Sequence, residues 1–174
     1  MHRVDADQVR RFMRAAGAAA REDGTCYLTG GATAVLLGWR ASTLDIDVRF
    51  EPEQDAVMRE LQQIKRDLQL NVEAASPAEF IPLPNSWEER SPFVAREGRL
   101  TFRHFDLYAQ ALAKIERGHE KDLVDVRALL DLGYVERETL RTLYDEIEPQ
   151  LYRFPALTPE SFRQRVERAT TGAG

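Results

Sequence analysis

The sequence predicts an α/β (α+β) fold in which a small mixed sheet with flanking helices is followed by a helical C-terminal lobe. Three observations lead there. Between Thr25 and Ala74 the patterns run strand, helix, strand, helix, strand. Phe93 to Phe105 then reads as a hairpin turning at Glu97-Gly98. From Asp106 onward the apolar residues recur at the helical period. The expected division is an α/β lobe over residues 1–104 and a helical lobe over 105–174 that closes one side of a cleft. The tail Thr170 to Gly174 is expected to be disordered.

Each element has its own justification. Residues 5–22 place Val9, Phe12, Met13, Ala16, Ala19 and Ala20 on one helical face, with Asp5 or Asp7 as cap and Gly24 as stop. Arg10, Arg11, Arg14 and Arg21 fall on the other side, either as a solvated face or against a polyanionic substrate. Thr25–Leu28 is the first strand, and Ala32–Leu37 a short helix ended by Gly38. Trp39 and Arg40 lead into a second strand that closes at Glu51-Pro52. A helix over 53–67 follows, with Ala56, Val57, Leu61, Ile64 and Leu68 in register. Leu68–Ala74 alternates as the third strand.

Residues 76–92 hold four prolines and are expected to be irregular. Phe80, Ile81 and Trp87 are the packing anchors there; alternatively the loop rims a site and Trp87 stacks a base. His104, without a metal-ligand partner in helical spacing, reads as an edge-strand residue. Asp106 caps a helix through Arg117 that Gly118 breaks. Further helices are expected over His119–Asp131, with Leu123, Val126, Leu129 and Leu130 inward, over Glu136–Ile147, and over Pro159–Arg168.

Bulk properties narrow the classes. A chain of 174 residues with 43% hydrophobic content can bury a core as one domain or two small lobes. Its net charge of -5 argues against coating nucleic acid by charge alone, while leaving room for a local basic groove. Cys26 is the single cysteine, so no internal disulfide forms, and its strand context reads as inert packing. No secretory signal, lipidation motif or 18-residue apolar run is present, which leads to the expectation of a soluble, cytoplasmic protein without a membrane partner.

The chemistry centres on Tyr27–Phe50. Asp45 and Asp47 are two apart on a strand, so both leave on one face while Ile46 and Val48 face the core. Two carboxylates about 6 Å apart at an effective dielectric of 20 repel by roughly 3 kcal/mol. A hard divalent cation between them turns that repulsion into a site; an ordinary solvated strand face is the alternative. Gly30 and Gly31 precede a helix, so their N–H groups can approach an anion with no Cβ in the way. Arg40 suits phosphate oxygens or the surface equally. Glu73 is a candidate third carboxylate if strand register turns it toward the aspartates, and otherwise faces solvent. In the segment Ala113–Val126 the charges read as helix-face pairs such as Lys121 with Asp125.

Gly30-Gly31 followed by Arg40, Thr43, Asp45 and Asp47 resembles the signature of the polymerase-β-type nucleotidyltransferase superfamily, and within it the small bacterial branch of AbiEii-type toxins. The proline-rich loop is similar to that branch, as is a lysine, Lys114, followed on the next helix by Lys121-Asp122-x-x-Asp125. Ala32 and Thr33 stand where the superfamily usually has serine. The resemblance implies a nucleotidyltransferase fold and transfer of NMP from an NTP to an acceptor hydroxyl, with one or two Mg²⁺ ions held by Asp45, Asp47 and Glu73. It implies catalytic roles for Asp45, Asp47, Glu73, Lys114 and Asp122. Nucleotide contacts would come from Gly30, Gly31, Thr33, Arg40 and Thr43. It also implies RNA or tRNA as an acceptor and a neighbouring antitoxin protein as a partner. A retired fold kept as a binding or regulatory module, and a small-molecule nucleotidyltransferase, are the alternatives.

Overall fold

A computed structural model of the chain describes residues 2–172. It is a mixed α/β protein built as two compact units, one of Met1–Ser76 with Ser91–Phe105, the other of Pro77–Arg90 with Asp106–Gly174. Among the described residues no helix is long and apolar enough to cross a membrane.

The first unit holds a five-stranded sheet. In chain order its elements are α1 (Ala6–Ala19), β1 (Gly24–Thr29), α2 (Gly31–Leu37), β2 (Asp45–Glu51), α3 (Asp55–Leu68), β3 (Asn71–Ala74), β4 (Phe93–Glu97) and β5 (Leu100–His104). The spatial order is β3-β2-β1-β5-β4. β1 runs antiparallel to β2 and parallel to β5, β2 runs parallel to β3, and β4 runs antiparallel to β5.

Alternation sorts the strands into two faces. Cys26, Leu28, Ile46, Val48, Val72, Leu100 and Phe102 form one face and pack with Val9, Phe12 and Met13 of α1 and Val57, Leu61 and Ile64 of α3. The residues between them in sequence leave on the opposite face, which is polar at β2 and β3. Cys26 is fully buried, as its strand context predicts, and burial pushes its thiol far above the ordinary range.

Several boundaries differ from expectation for identifiable reasons. α1 opens on a capping box in which Gln8 N donates to Asp5 Oδ1 at 2.9 Å and Asp5 N to Gln8 Oε1 at 3.0 Å. It ends at Ala19, three residues short of the expected 22, and Gly24, expected only as a stop, opens β1 and donates to Arg99 O. α3 runs on through Leu68 and closes on Gln69 in the left-handed conformation, so β3 starts only at Asn71. Leu68 keeps the helical period of α3 and so fits its last turn as well as the start of a strand.

His104 is not an edge residue. It ends β5, which lies between β1 and β4, and it is 4% exposed.

The second unit consists of the proline-rich segment and the C-terminal helices. The segment is more regular than predicted, with a 3-10 turn over Pro77–Glu79 and a one-turn helix, α4 (Trp87–Arg90). Ile81 is fully buried, and Phe80 stacks under the Arg117 guanidinium at 5.2 Å.

The later helices are α5 (Leu107–Arg117), α6 (Glu120–Asp131), α7 (Arg137–Ile147) and α8 (Pro159–Thr170). Asp106 caps α5, and its carboxylate also takes the Arg90 guanidinium at 2.7 Å. Leu112, Ile115, Val126, Leu129, Leu140, Ile147 and Val166 are buried, with the Tyr144 and Phe162 rings edge to face at 4.9 Å. Leu123 is 43% exposed and not inward as its period suggests. Thr170, expected in a disordered tail, is buried at the end of α8, where Arg141 Nε donates to its hydroxyl. Residues 173–174 of that expected tail lie outside the described residues.

Candidate active site

The polar face of β2 and β3 gathers carboxylates. Parallel pairing sets Asp45 opposite Asn71 and Asp47 opposite Glu73. Neighbouring strands lie about 4.8 Å apart, so Asp45, Asp47 and Glu73 leave on one face side by side. Register thus puts Glu73 on the face of the two aspartates. Asn71, which sequence reading passed over, links the group. Its Nδ2 donates to Asp45 Oδ1 at 2.6 Å and to Glu73 Oε1 at 3.0 Å. The signal was available: Asn71 precedes Glu73 by two positions and shares its face. On the other side of β2, Thr29 stands opposite Asp47.

The turn after β1 presses against this face. Gly30 has φ 62°, and a Cβ there would sit 3.0 Å from Asp47 Oδ2. A Cβ on Gly31 would overlap Thr43 Oγ1 at 1.9 Å. Both positions thus require glycine for two reasons at once: backbone conformation at the first, and close approach of the Thr43 loop at the second. Thr43 is fixed from its other side, since its backbone exchanges hydrogen bonds with Val4, and its hydroxyl donates to Asp45 O. Gly30, Gly31, Thr43, Asp45 and Asp47 are consequently one interlocked cluster. Arg40 is half-buried in the segment between α2 and β2, and its N–H donates to Ala34 O.

Thr33 is 1% exposed. Its hydroxyl lies 3.3 Å from Leu28 O and 2.9 Å from His104 Nδ1, inside the unit. Burial lowers the His104 pKa to about 4, so the ring is neutral at physiological pH. A neutral ring can accept at one nitrogen and donate at the other. The threonine that follows Ala32 therefore ties the glycine turn to β5.

The donor chemistry of this face fits a hard cation. Mg²⁺ takes oxygen ligands and is commonly bound by one or two carboxylates, with substrate phosphates and water completing the sphere. Asp45 and Asp47 supply such a pair, and a Cβ at Gly30 would crowd Asp47 Oδ2. Among the described residues no group of three His, Cys, Asp or Glu side chains forms a ready-made metal cage.

Lys114, Asp122 and Asp125 meet within the helical unit. Lys114 is 8% exposed, and its Nζ donates to Asp125 Oδ2 at 2.8 Å while Asp122 Oδ1 lies 3.7 Å away. Asp122 also takes Arg117 at 2.6 Å. The Asp122 Oδ2 atom is buried with no hydrogen-bond partner among the described residues. The expected pairing of Lys121 with Asp125 is replaced by that of Lys114, because Asp125 is wholly buried and faces α5.

A family model described as a nucleotidyltransferase of unknown function (DUF6036) matches residues 8–167. No curated protein and no solved structure matches the chain.

Proposed function

The chain belongs to that nucleotidyltransferase family, and on this premise we propose that it transfers an NMP group from an NTP to an acceptor hydroxyl, using the polar face of β2 and β3. One observation carries the reading: Asp45, Asp47 and Glu73 leave one sheet face together, against a turn where both glycines are sterically required.

Asp45 and Asp47 would hold Mg²⁺, with Glu73 beside them. When bound, the ion supplies positive charge to the triphosphate oxygens. Gly30 and Gly31 bring backbone N–H groups toward the same phosphates, and Arg40 adds a guanidinium. Thr43 and Thr33 keep that turn in place. Asn71 orients both Asp45 and Glu73, and Glu73 is the group assigned to take the acceptor hydroxyl proton. The acceptor oxygen forms a bond to the α-phosphorus as the bond to pyrophosphate breaks in line. By the family resemblance Lys114 is the compact cation that neutralises developing charge and Asp122 the carboxylate that orients it. The 3.7 Å ion pair of Lys114 with Asp122 is what supports the second assignment, and Asp125 at 2.8 Å is the nearer partner of the same lysine.

The finer assignment follows the AbiEii-type motifs: RNA, including tRNA, as acceptor, and a toxin whose partner is an antitoxin protein. The net charge of -5 fits a small-molecule acceptor as well. The test is incubation with α-labelled NTPs, Mg²⁺ and total RNA. Label should reach the acceptor with the wild-type chain and fall by about a hundredfold or more in Asp47→Asn and Asp45→Asn. Equal labelling by wild type and variants sinks the reading. Binding of Mg²⁺–NTP without transfer to RNA or small hydroxyl compounds identifies a binding module instead.

A further inference from the structure

The helical unit contains a cavity of about 560 Å³ that none of the residues assigned to nucleotidyl transfer lines. Four arginines converge on it: Arg127 from α6, Arg137 from α7, and Arg165 and Arg168 from α8. Leu123 and Val126 of α6 supply an apolar wall, and Leu123 is 43% exposed there. A single acid, Asp131, also lines the space.

This unit as a whole carries more acidic than basic side chains. Gathering four guanidiniums around one acid therefore runs against its overall charge and costs like-charge repulsion. Arg165 is built in: it donates to Glu116 O, and its guanidinium packs over Gly118, where a Cβ would lie 3.2 Å from it. Arg127, Arg137 and Arg168 are exposed and form no side-chain hydrogen bond or ion pair among the described residues.

We infer that this cavity is a second binding site, for a nucleoside phosphate: a free nucleotide or the 5′-phosphorylated end of an RNA strand. Guanidinium forks match phosphate oxygens in pairs and also stack on bases. The leucine and valine wall takes the apolar body that inorganic phosphate lacks. The volume lies in the range of small-molecule pockets. The assignment stands apart from the transfer reaction, because it uses no residue of the carboxylate face.

The test uses the full chain carrying Asp45→Asn and Asp47→Asn, so that the other proposed nucleotide site does not contribute. Binding of ADP, of a 5′-phosphorylated RNA pentamer and of its 5′-hydroxyl counterpart is measured by calorimetry, with and without Arg127→Glu plus Arg168→Glu. Both substituted side chains are exposed, and circular dichroism checks the fold. The charge reversal should weaken ADP or phosphorylated RNA by about tenfold or more. It should do so while leaving transfer by a chain with Asp45 and Asp47 intact measurable. Leu123→Asp should weaken the same ligand. Loss with ADP points to a free nucleotide; loss confined to phosphorylated RNA points to the strand end. Affinities unchanged within twofold, or pyrophosphate bound as tightly as ADP, overturn the inference. Failure of the transfer assay leaves it standing, since the readouts are separate.

Discussion

The hydrogen bond between Thr33 and His104 shows how much a single pair of residues can decide. His104 titrates near pH 6.5 when unfolded and near 4 when folded, because burial opposes its charged form. Between those values the unfolded chain binds the additional proton, so folding stability present above pH 6.5 is lost as pH falls toward 4. The loss approaches about 3 kcal/mol at the acid end of that window. Urea unfolding at pH 7.5, 6 and 4.5 should show a steeper decline for wild type than for His104→Gln, and parallel declines would contradict the buried neutral ring. Asp45 and Asp47 were legible in sequence because a two-residue spacing fixes their common face whatever the fold. The contact of Thr33 with His104 was not, since the two lie 71 positions apart and only the parallel pairing of β1 with β5 brings them together.

At the scale of elements, α5 and α6 are joined through charge as well as packing. Lys114 is enclosed by Asp122 and Asp125, and its removal leaves two buried carboxylates with less compensation. Lys114→Met is expected to cost about 3–5 kcal/mol, with Asp125→Asn in the same chain recovering part of it. A double-mutant cycle by chemical denaturation checks both numbers, and an unchanged stability for Lys114→Met would remove the structural role. Any loss of transfer activity in that variant has to be read against its folded fraction. Helices with clear caps, such as α5 between Asp106 and Gly118, were located from sequence to within a residue. Elements whose ends depend on tertiary hydrogen bonds were not. β3 starts three residues later than expected, with Leu68 taken into α3 and Gln69 as its cap, and the proline-rich stretch gained two helical turns. Pairing of Lys114 rather than Lys121 with Asp125 was hidden for the same reason, because local spacing offers the nearer lysine first.

Over the whole molecule the chain enters the helical unit twice. Residues 77–90 join it before β4 and β5, and the main run starts at Asp106. The earlier segment contributes buried Ile81, the Phe80 ring beneath Arg117, the Asn85 N–H donated to Glu146, and the Arg90 ion pair on the α5 cap. A fragment of residues 106–172 should therefore melt lower than the same fragment with 77–90 attached through a flexible Gly/Ser linker. Thermal unfolding followed by circular dichroism distinguishes them, and coincident melting curves would show the segment to be dispensable. The same double entry bears on recombination between relatives. A single crossover placed between β5 and α5 leaves residues 77–90 with one parent and hands α5–α8 to the other. The helical unit of such a hybrid is then assembled from two ancestries, with Arg90 facing a foreign cap and Phe80 a foreign arginine. Intact exchange of that unit takes three cuts, at 76/77, 90/91 and 105/106.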